Sequence, residues 1–99
     1  MVFNLFSDVK KFIEQQESER AYKLYDLLEN LQTYTLEHLL KTKDVKKIEK
    51  KYGVYEVRLR VNKEEYRFLG GFRGGTLYLC VSFKKKRKEN TQRQNRPFN

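Results

Sequence analysis

Residues 54–83 decide the fold of this chain and read VYEVRLRVNKEEYRFLGGFRGGTLYLCVSF. The stretch begins with apolar and charged residues in alternation, the period of two expected of a strand with one apolar and one charged face. The charged positions are Glu56, Arg58 and Arg60. Short links containing Asn62, Lys63 or glycines separate two further apolar segments. We therefore predict three consecutive antiparallel strands, at about 54–61, 65–71 and 76–83.

The glycine cluster GGFRGG at 70–75 lies between two of these strands and is interpreted as a hairpin turn. Strict alternation in the third strand, TLYLCVSF, predicts one apolar side made of Leu77, Leu79, Val81 and Phe83. The other side then carries Tyr78, Cys80 and Ser82. Cys80 is expected to be a small buried or half-buried side chain.

The N-terminal half predicts helices that cover the apolar side of the sheet. Residues 2–6 are typical of a short edge strand, and a first helix is expected over about 8–16 with Ser7 as its N-cap. A second helix opens at Ser18, with an apolar stripe formed by Ala21, Leu24, Tyr25, Leu28 and Leu31. One or two helical turns are expected after Thr35, with an apolar side of Leu36, Leu39, Leu40, Val45 and Ile48, before Gly53 ends the segment. The predicted fold class is α+β, with an N-terminal strand and helix pair on one face of a small sheet.

The bulk composition indicates one domain with an anionic partner. Ninety-nine residues suffice for a single core, which we place at 1–88, followed by a polar tail at 89–99. The net charge of +9 is segregated, since residues 1–40 carry 4 basic and 7 acidic side chains and residues 41–88 carry 16 basic and 5 acidic ones. A lone cysteine and the absence of a leader or long apolar run predict a cytoplasmic protein without a membrane span.

The candidate site is a cluster of cations on the second half. With one histidine and one cysteine, the chain offers no cluster of metal ligands, and no phosphate-binding glycine loop precedes a helix. The residues that remain are Arg58, Arg60, Arg67, Arg73, Lys84, Lys85, Lys86, Arg87 and Lys88, with Tyr78 as the aromatic side chain best able to stack on a base. Such a face can bind phosphates, or can assist cleavage of RNA by its own 2′-hydroxyl, in which arginine stabilises the extra charge of the transition state. Glu56 is expected to pair with and orient a neighbouring arginine.

The segments GVYEVRLR, EEYRFLGG and VSFKKKRKE, in this order and spacing, resemble the core of the RelE/ParE toxin superfamily, above all its HigB-like, phage-derived branch. The resemblance implies a curved antiparallel sheet and a toxin that cleaves mRNA in the A site of the small ribosomal subunit. It also implies neutralisation by a helix-turn-helix, HigA-like antitoxin, and no cofactor.

Carried over by position, the resemblance implies that Arg67 contacts the scissile phosphate and that Arg58 helps to bind phosphate. It also implies that one of Lys84 and Lys85 acts as base or acid. Arg60, Arg73, Tyr78, Lys86 and Arg87 are expected to contact RNA. Many active relatives carry a tyrosine or histidine shortly after the last strand, whereas residues 84–99 contain neither. This absence keeps open a non-catalytic RNA-binding module of the same fold, and a ParE-like gyrase poison stays open because that sister family shares the fold.

Overall fold

The computed structural model describes residues 1–85. They form three helices and five strands in the order β1 (Val2–Leu5), α1 (Ser7–Glu14), α2 (Ser18–Leu31), α3 (Leu36–Thr42), β2 (Val45–Glu49), β3 (Val54–Val61), β4 (Glu64–Arg73) and β5 (Thr76–Lys85). The predicted tail at 89–99 and the residues Lys86, Arg87 and Lys88 lie outside the described part. No helix within residues 1–85 is long and apolar enough to cross a membrane.

The five strands form one mixed sheet in the order β1-β5-β4-β3-β2. Strands β2 to β5 pair as antiparallel neighbours, as the short links predict, whereas β1 pairs in parallel with β5. The helix α1 packs against β5, α2 against β3 and α3 against β2. All the helices cover the same face, because their buried leucines and valines join one core with Val57, Leu59, Tyr66, Phe68 and Leu79. The predicted α+β class with helices on one face is confirmed.

The first two helices match the sequence pattern in register, with one difference at the start of α1. Leu24, Leu28 and Leu31 of the predicted α2 stripe are buried. Ser7 is not the N-cap of α1, because the helix already begins at Ser7 and Phe6 is its extended cap residue. The Phe6 backbone N–H donates to Leu79 O at 3.0 Å, so pairing with β5 continues to residue 6 and leaves no room for a separate cap.

The predicted helical turns after Thr35 are present as α3, but Val45 and Ile48 do not belong to their apolar side, because residues 45–49 form the edge strand β2. Lys43 adopts a left-handed conformation (φ 69°) that ends α3. Val45 then pairs with Val57 and is fully buried, whereas Ile48 is exposed. Pairing with β2 gives hydrogen-bond partners to the backbone groups along the edge of β3. This requirement arises in β3, so no local pattern in residues 45–49 reveals it.

A bulge in β5 overturns the simple alternation expected of that strand. Leu69 pairs with Val81 but Gly70 pairs with Leu79, so Cys80 is an extra residue and the side chains beyond it change face. Val81 and Phe83, expected in the core, are 52% and 41% exposed, and Cys80 is exposed as well. A Cβ on Gly70 would lie 1.6 Å from the Tyr78 backbone oxygen, so this crossing of strands requires glycine. Only Gly74 and Gly75 of the GGFRGG cluster form the turn, since residues 70–73 belong to β4.

Candidate functional site

The face of the sheet that the helices leave uncovered is called the open face below. Its residues follow from the strand register: Lys46 on β2, Glu56, Arg58 and Arg60 on β3, Glu65, Arg67, Leu69, Gly71 and Arg73 on β4, and Tyr78, Val81, Phe83 and Lys85 on β5. Arg58 lies directly across from Arg67, at the centre of this face. Part of the segregated positive charge of the second half therefore lies on this surface.

Arg67 is held between two carboxylates. Its Nη1 donates to Glu56 Oε1 at 3.0 Å and its Nη2 donates to Glu65 Oε1 at 2.8 Å. The Arg67 side chain is only 8% exposed and that of Glu56 only 11%. Among residues 1–85, these two are the buried charged residues of the protein. An ion pair in such surroundings fixes the positions of its members, because separating them would leave a buried charge without a partner.

The pKa values of this cluster follow from these contacts. The hydrogen bond from Arg67, opposed by partial burial and aided by the charges of Arg67, Arg60 and Lys85, lowers the pKa of Glu65. Burial alone would lower the pKa of Arg67, but its hydrogen bonds and charge interactions with Glu65 and Glu56 outweigh burial and raise it. Both groups are therefore charged at neutral pH. The expectation that Glu56 pairs with a neighbouring arginine is confirmed, and it pairs with two.

Arg58 differs from Arg67 because most of its guanidinium is unoccupied. Its Nε donates to Glu56 Oε1 at 3.0 Å, and within residues 1–85 its two terminal nitrogens have no hydrogen-bond partner. It lines two neighbouring clefts, one of about 410 Å³ shared with the charged residues Asp44, Arg60, Glu65, Arg67 and Lys85, and one of about 320 Å³ shared with Lys43, Lys46 and Lys47. A planar guanidinium with available N–H donors, lying between two clefts that contain several cations, is suited to bind a phosphate group.

The two described lysines of the last strand lie on opposite faces. Lys85 is the register partner of Glu65 and lines the larger of the two Arg58 clefts. Lys84 is the partner of the buried Tyr66 on the helix-covered side, and its Nζ lies 3.8 Å from Glu64 Oε1. The structure therefore brings Lys85 to the two central arginines and does not bring Lys84 there. Lys86 and Arg87 lie outside the described residues.

The remaining predicted contacts are spread along the open face. Arg60 is exposed, and its Nη2 donates to Glu65 Oε2 at 3.3 Å beside the central cluster. Arg73 and Tyr78 lie towards the other end of the sheet, where both line a separate cleft of about 570 Å³. Tyr78 faces Gly71 across β4 and β5. The predicted residues therefore form two groups on one face.

Several residues of this surface were missed by reasoning from the sequence. Lys46 joins the open face only because β2 exists, and Phe83 joins it only because of the bulge. Glu65 could have been found, since its spacing of two from Arg67 within a predicted strand places both on one side. No group of three or more histidine, cysteine, aspartate or glutamate side chains in residues 1–85 is arranged to hold a metal ion.

The fold and this surface define a small α+β protein with a charged, uncovered sheet face built around paired arginines. Residues 11–97 match the model of the family described as phage derived protein Gp49-like (DUF891). The chain therefore belongs to this family of toxin-like proteins, which is related to the toxins of the RelE and HigB type. Neither the curated proteins nor the solved structures contain a match.

Proposed function

We propose that this protein is the toxin of a type II toxin–antitoxin system and that it inhibits translation by cleaving mRNA on the ribosome. The observation that carries the proposal is the guanidinium of Arg58, whose two terminal nitrogens have no hydrogen-bond partner within residues 1–85, next to a carboxylate-held Arg67 on the open face. Membership of a toxin-like family supports the same reading. An arginine that served only solubility would not need the buried Glu56 to orient it.

The proposed reaction needs no nucleophile from the protein. The ribose 2′-oxygen attacks the adjacent phosphorus, the bond from phosphorus to the 5′-oxygen breaks, and the products are a 2′,3′-cyclic phosphate and a 5′-hydroxyl. One proton leaves the 2′-hydroxyl and one is delivered to the 5′-oxygen. Arg58 binds the phosphate and offsets the additional negative charge in the transition state, for which a donor fixed in advance is most effective.

Glu65 and Lys85 are the groups we assign to the two proton transfers. They are register partners on β4 and β5 and line the same cleft as Arg58. Glu65 is a carboxylate at neutral pH and can accept the 2′-hydroxyl proton, and the Arg67 hydrogen bond that lowers its pKa also makes it a weaker base. The Lys85 ammonium can donate a proton to the leaving oxygen. This pair would supply the acid and base that the resemblance leaves without a tyrosine or histidine in residues 84–99.

Arg67 can donate a hydrogen bond to a phosphate only if it releases one of its carboxylate partners or uses its remaining N–H hydrogens. Its Nε is buried and has no partner within residues 1–85. Its proposed part in transition-state binding therefore includes a positioning role, in which it holds Glu56 behind Arg58 and Glu65 beside Lys85. Loss of Arg67 would misplace three side chains at once, and a 1 Å displacement of reacting groups is costly for catalysis.

The partners that this function implies are mRNA in the ribosomal A site and a helix-turn-helix antitoxin of the HigA type, both in the cytoplasm. The positive charge of the open face favours RNA, since phosphate contacts supply most of the affinity of such surfaces. An antitoxin could act by covering the same face.

The deciding experiment maps mRNA cleavage by primer extension in a bacterial cell-free translation reaction, with a ribosome-free control. Arg58→Ala is the test variant, because Arg58 is partly exposed and its removal leaves Arg67 paired. Lys10→Ala, which removes one positive charge from an exposed position on α1, is the matched control. We expect cuts that need ribosomes, a loss of about 100-fold or more in Arg58→Ala, and unchanged cutting in Lys10→Ala.

A non-catalytic RNA-binding module is the second candidate, favoured by the burial of Arg67 between carboxylates. It predicts no cuts with folded wild-type protein, and RNA binding that weakens gradually as single cations are removed. Inhibition of gyrase supercoiling with intact mRNA would instead support a ParE-like poison and exclude the nuclease.

A further inference from the structure

A cleft of about 570 Å³, which we call the aromatic cleft, lies on the sheet away from the Arg58 and Arg67 pair. Its lining includes Tyr52, Tyr55, Gly71, Phe72, Arg73 and Tyr78. Tyr52 is 74% exposed, and Phe72 and Tyr78 are also exposed at this end of the sheet. An aromatic cluster left to solvent in so small a protein indicates a binding surface rather than a packing need.

The chemistry of the aromatic cleft suits a ligand that is both flat and anionic. Tyr55 and Phe72 form an edge-to-face pair with ring centroids 6.2 Å apart, and the strand register places this pair on the helix-covered side, whereas Gly71, Arg73 and Tyr78 lie on the open face. Two lysines lie beside rings of the cleft, since Lys51 Nζ is 5.4 Å from the centre of Tyr52 and Lys47 Nζ, on the helix-covered side, is 5.5 Å from that of Tyr55. Arg73 belongs to the lining, and no described acidic residue does. Aromatic rings with cations beside them are the usual binding surface for single-stranded nucleic acid.

The floor of the aromatic cleft is bare backbone at Gly71. No atom lies within 4 Å of the position that a Cβ would take there, so the space above this residue is empty. Tyr78 stands directly across from Gly71 on β5. A planar group could therefore approach the sheet backbone closely while it stacks on a tyrosine ring.

The aromatic cleft is aligned with the proposed cleavage site. Gly71 and Arg67 lie on the same side of β4, four residues apart, which corresponds to roughly 13 Å along a strand. A dinucleotide can span that distance. Leu69 and Val81 lie between the two sites on the open face, beside Glu56, whose carboxylate is buried and paired with the two arginines.

We propose that the aromatic cleft binds a nucleobase of single-stranded RNA next to the nucleotide whose phosphate binds Arg58. This inference rests on the proposed function, because it names a second contact for the same substrate. Base stacking is tolerant of sequence, so the cleft positions the RNA and sets the register of cutting rather than recognising one base. A peptide segment of a protein partner is the competing occupant.

Binding is measured by fluorescence anisotropy with a labelled 2′-O-methyl hexanucleotide, which the protein cannot cleave. Gly71→Val fills the cleft from a position with free space around it, and Tyr78→Leu removes the stacking ring. Tyr22→Leu, an equally drastic change at an exposed tyrosine of α2, is the control. We expect each cleft variant to bind about tenfold more weakly than the wild type, and the control to bind equally well.

The possible results separate this inference from the proposed function. Weaker binding in Arg58→Ala but unchanged binding in both cleft variants overturns the inference and leaves the function standing. Absence of hexanucleotide binding by the wild type also overturns it, while the cell-free cleavage assay decides the function independently. If Gly71→Val binds RNA normally but no longer binds a neutralising protein, the cleft belongs to that protein and the inference is wrong. If the wild type cuts no mRNA on ribosomes but still binds the hexanucleotide through the aromatic cleft, the result refutes the nuclease function and not the binding of a base in the cleft.

Discussion

Replacing Arg67 by alanine should strongly destabilise the fold, because the cluster on the open face depends on this side chain. The change removes charge-assisted hydrogen bonds of 3.0 and 2.8 Å and leaves the buried Glu56 with Arg58 as its remaining partner. Each bond contributes about 1.5 kcal/mol, and partial rehydration of Glu65 returns some of the loss, so the net cost is about 2–3 kcal/mol. For a domain of this size, that cost lowers the melting temperature by on the order of 10–20 °C.

Arg60→Ala is the matched control for this prediction. Arg60 also pairs with Glu65, at 3.3 Å, but its side chain is 69% exposed. Its loss should therefore cost less than about 1 kcal/mol. Urea denaturation of both variants, followed by circular dichroism, gives the two free energies of unfolding. Equal losses in the two variants would refute the reasoning that burial makes the Arg67 clamp structural, and would restore Arg67 as a simple surface phosphate contact.

Three further outcomes are expected. The folded-state pKa of Glu65 is lowered, so this group stabilises the fold above its unfolded pKa of about 4.3, and the stabilisation is lost as the pH falls through the folded value. Urea denaturation should show this acid-dependent loss of stability in the wild type and a smaller loss in Glu65→Gln. Gly70→Ala should unfold at clearly lower urea concentration, because its Cβ would collide with the Tyr78 backbone oxygen; wild-type stability would show that the bulge can relax. Phe83→Ser should cost less than about 1 kcal/mol, whereas a loss of about 3 kcal/mol or more in the same denaturation series would place Phe83 in the core and contradict the change of face.

The proton-transfer assignment has a consequence for the pH profile of cleavage. If Glu65 accepts the 2′-hydroxyl proton, Glu65→Gln loses activity at every pH, although the variant keeps a neutral partner for Arg67. Wild-type cleavage should fall on the acid side only near or below the lowered pKa of Glu65. If Glu65→Gln cuts mRNA at the wild-type rate, Glu65 is not the base.

Local patterns in the sequence determined much of this protein. Helical spacing gave the buried stripe of α2, and a period of two placed Arg58 and Arg60 opposite Val57 and Leu59. Short links between strands predicted the antiparallel pairing of β3, β4 and β5. These features depend on neighbours within a few residues, whose periodicity remains visible in the chain whatever it packs against. The segregated charge was equally readable, since it needs only counting.

Only the tertiary structure decided the features that make the open face a site. The strand β2 exists because the edge of β3 needs a backbone partner, and Phe83 reaches the open face because one extra residue in β5 changes the phase of the strand. Arg67 is buried against Glu56 because the pairing of β3 with β4 brings these two residues together, whereas Glu65 is a neighbour of Arg67 on the same strand. Backbone pairing across strands, the phase of a bulge and the burial of a charge all depend on residues distant in sequence, so the alternation along one strand cannot encode them.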